Sequence, residues 1–201
     1  MENKKLIRGA SVIDRILKIF QGFALAGVIV AVIFIPLTLI FGEKIVVNSS
    51  SVNIGVLNIH LAIDSAEYLD LDHLKMSICI MLAGMILGCA AAWYCLKVLR
   101  EILAPMKEGT PFAEGISAKI RKLAWAVLIG GGIGEISSKV SSVFELRAYH
   151  IEKLLDDSVV KSISYDYKIG LWFIVAALVL FFLSYIFRYG EELQRESDET
   201  L

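Results

Sequence analysis

The chain has 201 residues, 57% of them hydrophobic and 20% charged, with a formal net charge of −1 and a mean hydropathy of +0.68. Soluble domains lie nearer about 45–50% apolar, so the excess points to lipid, and the balanced charge argues against direct nucleic-acid binding. Cys79, Cys89 and Cys95 share one apolar run, which reads as buried packing thiols rather than a disulfide framework or a metal site.

Lys4, Lys5, Arg8, Arg15 and Lys18 lead into a first apolar run at 16–42. A bilayer crossing needs roughly 20 such residues. The run is too long for a cleaved leader, and FGEKIVV has no small-x-small site, so it reads as a retained anchor. Pro36 leaves the Val32 carbonyl without its helical donor. In the loop at 43–75, Leu57, Ile59, Leu61 and Ile63 alternate with polar or small residues, a period-two strand signal. Val52, Ile54 and Val56 alternate in the opposite phase, with Gly55 at the switch as a bulge. With residues 45–47 before the turn-like NSSS, this predicts a small hairpin, and Ile163, Tyr165 and Tyr167 alternate similarly in the loop at 144–168. The NSS at Asn48 fits a glycosylation acceptor, a pattern too common to carry weight.

The second apolar run, 76–99, carries Gly84, Gly88 and Ala92 at four-residue spacing. In the loop at 100–122, Pro105 and Pro111 bracket a turn at Gly109, so the second helix is expected to stop near Ala104. A further helix should begin after Phe112, with Ile116, Ile120 and Leu123 on one face and Phe112 and Ile116 in the headgroup layer. This loop is either a basic re-entry turn or a docking face for a cytosolic partner.

The third run, 123–143, contains GGGIGEISSK. A charge near the bilayer centre costs about 2.5–3.5 kcal/mol on insertion scales, so this helix needs a protein-lined home. Gly130, Gly134, Ser138 and Ser142 recur every four residues, a small-residue stripe suited to packing against Gly84 and Gly88. Gly131, Glu135 and Lys139 form the adjacent line, with Glu135 just past the midplane. Two readings stay open: Glu135 and Lys139 neutralise each other as a helical pair, or they form an intramembrane polar site with Ser138.

The fourth run, 169–187, leads into a tail at 188–201 in which Glu191–Arg195 and Arg195–Glu199 have helical pair spacing. Basic residues crowd the N-terminus and the loop at 100–122, while 43–75 is mainly acidic, so both termini are expected inside. Trp93, Tyr94, Trp125, Tyr185 and Tyr189 fall at the inner interface, and Tyr165, Tyr167 and Trp172 at the outer one. The expected architecture is an all-α membrane protein, a single four-transmembrane-helix bundle with both termini cytoplasmic and a small extracellular β-hairpin or sheet. His60, His73 and His150 read as exposed loop residues rather than ligands. No enzyme motif, cofactor fingerprint or metal spacing is evident.

MKEGTPF followed by IRKLAW, and the closing YGEELQRESDETL, resemble the uncharacterised bacterial membrane family called "domain of unknown function 2975". The resemblance covers nearly the whole chain. It implies a four-helix protein of a bacterial plasma membrane, often encoded beside a small helix-turn-helix transcription regulator. The family has no established catalytic residues. At matching positions it implies a shared docking role for Pro111, Phe112, Glu192, Leu193, Gln194 and Asp198, while Glu135 and Lys139 lie outside its pattern.

Three functions follow as expectations. The first is a non-enzymatic regulator or sensor that couples an outer-face or intramembrane ligand site to a cytosolic partner, such as a transcription regulator. The second is a small transporter or an immunity-type protein that binds a peptide or toxic molecule. The third is an accessory subunit, in which the small-residue stripes would meet another membrane protein or a second copy of this chain.

Overall fold

A computed structural model describes residues 2–46, 51–54, 57–60, 70–108, 113–148 and 170–199. It contains four long helices: α1 (Glu2–Val46), α2 (Leu71–Glu108), α3 (Ile116–Ala148) and α4 (Trp172–Glu199). Each is long and apolar enough to cross a membrane, over Ile7–Phe41, Leu71–Glu108, Ile116–Glu145 and Trp172–Ser197. Only between 6% and 17% of each apolar stretch is buried within the protein. Apolar side chains that face outward along four such helices are those of a multi-pass helical membrane protein, whose solvent is lipid.

Ser51–Ile54 (β1) and Leu57–His60 (β2) pair antiparallel, Ser51 opposite His60 and Ile54 opposite Leu57. Ile45 and Val46, expected in a strand, belong instead to the end of α1, and Val47 lies outside the described residues. The other strand residues anticipated, Leu61, Ile63, Ile163, Tyr165 and Tyr167, lie outside the described residues, as do Asn48 and Gly55.

The helices outrun their apolar cores. α2 does not stop near Ala104 but continues through Pro105 to Glu108. Proline at 105 removes the N–H that would bond the Glu101 carbonyl. Lys119 Nζ donates to that carbonyl instead, at 3.3 Å, and replaces the lost bond. The helix foreseen after Phe112 begins at Ile116 and runs unbroken into the third apolar stretch as α3.

The chain forms two compact units. The first comprises Met1–Ile29, Ile86–Glu135 and Ile169–Leu201. Its core joins Val98 and Ile102 of α2 to Ile116, Ile120 and Leu123 of α3, flanked by Cys95, Met106, Leu180 and Phe187. The single face foreseen for Ile116, Ile120 and Leu123 is therefore a buried face. Ile116 is fully buried, at 0% exposure, rather than immersed in headgroups. The second unit comprises Val30–Met85 and Ile136–Lys168, where α2 meets α3 through serines and a glycine.

Candidate functional site

The most elaborated polar site lies in the first unit, where α3 begins and α4 ends. Gly115 has φ near +87°, in the left-handed region that favours glycine, and turns the chain into α3. Its carbonyl accepts the first helical bond, from the Lys119 N–H at 3.2 Å. A glycine there has no side-chain oxygen to satisfy the free N–H groups of the first turn. Glu191 of α4 supplies one. Its Oε1 accepts the Ser117 N–H at 2.6 Å, and its Oε2 accepts the Ser117 hydroxyl at 2.9 Å. A carboxylate at this end also meets the positive pole of the helix dipole. Ser184 Oγ donates to the Ser117 carbonyl at 2.8 Å, so three side chains fasten the two helices together.

Beside this latch is a groove of about 550 Å³. Arg121, Arg188 and Arg195 line it together with Glu114, Glu192 and Glu199. Arg188 bonds Glu192 at 3.2 Å, and Arg195 lies 3.7 Å from Glu199. The pairing expected of Glu191 with Arg195 is replaced by the bond from Glu191 to Ser117. Of the docking residues anticipated, Glu192 and Gln194 line the groove, and Leu193 is exposed. Pro111 and Phe112 lie outside the described residues, and of Asp198 only the helical backbone is described.

A second charged cluster ties α1 to α2 in the same unit. Asp14 accepts from Arg100 Nε at 2.9 Å and Lys107 Nζ at 2.6 Å, while Arg100 also donates to Gln21 Oε1 at 2.9 Å. Sequence reasoning passed over Asp14. The signal was there, in a carboxylate set between Arg8 and Arg15 within a segment of five basic residues.

The glycines of α3 divide between two neighbours. A Cβ on Gly130 would lie 2.7 Å from Ala91 Cβ of α2, and one on Gly131 would lie 2.5 Å from Phe173 Cγ of α4. A Cβ on Gly84 would stand as close to Ser137, 2.5 Å from its Cβ. Gly88 and Gly134 face open space among the described residues, so the tight contacts do not follow the stripe along its length. Glu135 is half-buried, with Oε1 2.7 Å from where a Cβ on Gly170 would stand, two residues before α4 begins. A carboxylate is well placed near a helix N-terminus. Ser138 is exposed and Lys139 half-buried in the second unit. Neither Glu135 nor Lys139 enters an ion pair among the described residues.

In the second unit Gly84 is joined by two serines that no sequence pattern marked. Ser77 and Ser141, both buried, exchange hydrogen bonds with each other's backbone carbonyls at 2.9 and 3.1 Å. Asp70 caps α2, its Oδ1 accepting from the Asp72 and His73 N–H groups at 3.1 Å each. The His73 backbone N–H, and after it the His73 ring at 2.6 Å, hold the Asp70 carboxyl below the usual carboxylate range. His73 thus belongs to the first turn of α2, against the Phe144 ring, and is not an exposed loop residue.

Cys79, Cys89 and Cys95 are free and half-buried. Among the described residues no group of three or more His, Cys, Asp or Glu could hold a metal ion. Compared with known proteins, the chain matches no family model, no curated protein and no solved structure.

Proposed function

We propose that the protein is a non-enzymatic membrane regulator that docks a cytosolic partner in the groove between the start of α3 and the end of α4. The latch of Glu191 onto Ser117 is the observation that carries this reading. It fastens the acidic tail to the basic start of α3, so a partner that reads both signs finds them side by side. The resemblance in the inner loop and tail adds a class of partner, a small DNA-binding regulator. In this reading both termini are cytoplasmic in a bacterial plasma membrane, following the excess of lysine and arginine in the N-terminal segment and the loop at 100–122. β1 and β2 are then extracellular and contribute to sensing. A signal requires a ligand that binds two states of the helices with different affinity.

Affinity purification of the full chain from its native membrane tests the reading. A cytosolic partner should co-purify with wild type and be lost when Arg188 and Arg195 are both replaced by glutamate. Unchanged recovery after deletion of the tail beyond Gly190, with Lys119, Arg121 and Lys122 also neutralised, overturns it.

A further inference from the structure

We infer that the first unit carries a binding site for one anionic phospholipid, in a groove between α2 and α3. The inference needs only that the helices cross a membrane, and it is independent of any cytosolic partner. The groove holds about 380 Å³. Most of the outward surface is built from long apolar side chains. Here Ala91 of α2 faces Ala126 and Gly130 of α3, and their small size leaves a concavity. The close approach at Gly130 and Ala91 sets its depth, and Ile129 and Ile133 complete an apolar floor.

One end of this floor is different. Lys122 stands there, exposed and in no ion pair among the described residues, with Tyr94 and Trp125 beside it. Among the described residues no aspartate or glutamate lines the groove. Trp125 is braced edge-on against Phe181 at 5.3 Å, which fixes one wall. Tyrosine and tryptophan favour the headgroup level, where one side of the ring is apolar and the other wet. From Lys122 to Ile133 the helix rises about 16 Å, close to the depth of one leaflet of a core roughly 30 Å thick. An acyl chain therefore fits the floor while its head reaches Lys122. An uncompensated ammonium at that level selects a negative head over a zwitterionic one, since a lysine near an anionic surface contributes about 1 kcal/mol, or roughly a fivefold preference.

Native mass spectrometry of the full chain, released from micelles holding equal amounts of phosphatidylglycerol and phosphatidylcholine, reads the preference directly. Wild type should retain phosphatidylglycerol about fivefold over phosphatidylcholine. Lys122→Gln should bring that ratio near one, while Lys18→Gln, which removes the same charge from an exposed position on α1, should leave it unchanged. Ala126→Phe, which fills the floor, should lower retention of both lipids. Far-ultraviolet circular dichroism confirms that each variant keeps its helices. The inference is overturned if wild type shows no preference, if Lys122→Gln keeps the wild-type ratio, or if Lys18→Gln lowers the ratio as much as Lys122→Gln does.

Discussion

The two units hold α2 against α3 by different chemistry. In the first, a close approach of Gly130 to Ala91 is joined by large aliphatic side chains that interlock around Ile116, and Lys119, Glu191 and Asp14 make polar contacts in the same unit. In the second, the contact is made by the paired hydroxyls of Ser77 and Ser141 and by Gly84 against Ser137. The difference follows from the solvent each contact replaces. Burying an aliphatic side chain is strongly favourable only when the alternative is water. Lipid tails are as apolar as leucine, so helices surrounded by them associate through close approach and hydrogen bonds instead. Ile116 adjoins a turn and a set of charged side chains, where water is the competing solvent. Ser77 and Ser141 lie on apolar stretches, where it is not.

That contrast is sharpest in the effect of truncation. Ile116→Ala should lower the unfolding free energy by about 2–5 kcal/mol, the range for emptying a fully buried aliphatic site. Ser77→Ala and Ser141→Ala should each cost far less, with a coupling between them of about 0.6 kcal/mol and no more than about 1.7. Both follow from reversible denaturation of the purified protein in mixed micelles, the second by a double-mutant cycle. A serine coupling larger than the loss at Ile116 would break the comparison, because it would mean that hydrogen bonds outweigh aliphatic packing in this protein.

The same contrast explains what was legible in the sequence. Four apolar runs announce four helices because the cost of leaving backbone groups unbonded in lipid allows few alternatives. Where the helices end was harder to read. Pro105 is a sound stop signal on its own, yet α2 continues past it, and the ammonium of Lys119, fourteen residues away, bonds the carbonyl the proline leaves free. The stripe through Gly130 was expected to pack against Gly84 and Gly88, whereas Gly130 approaches Ala91 and Gly84 approaches Ser137. Spacing could not show that Gly131 seats Phe173 of α4 or that Gly134 meets nothing among the described residues. The latch of Glu191 was hidden because its spacing to Arg195 offered a local partner, while its actual partner, Ser117, is 74 residues away. Local pairs are visible in a sequence; caps supplied by another helix are not.

The smallest effect concerns Asp70, which caps α2 in the second unit and whose own N–H bonds the Ala148 carbonyl at the end of α3, at 2.9 Å. Its carboxyl is held below its ordinary value of 3.8, first by the His73 backbone N–H and then by the His73 ring. A group whose folded pKa is depressed contributes stability that is fully present above its unfolded value and lost as the pH falls through the folded one. The contribution of Asp70 should therefore be constant at neutral pH and decline only below about 3.8. Asp70→Asn keeps an oxygen that can cap the helix but cannot ionise. Stability of the two proteins, measured in micelles from pH 6 to pH 2, should therefore run parallel at the upper end and converge as acid removes the charge from the wild type. Curves that stay parallel throughout would mean that the cap acts through its geometry alone. The acid sensitivity of the protein would then belong to carboxylates other than Asp70.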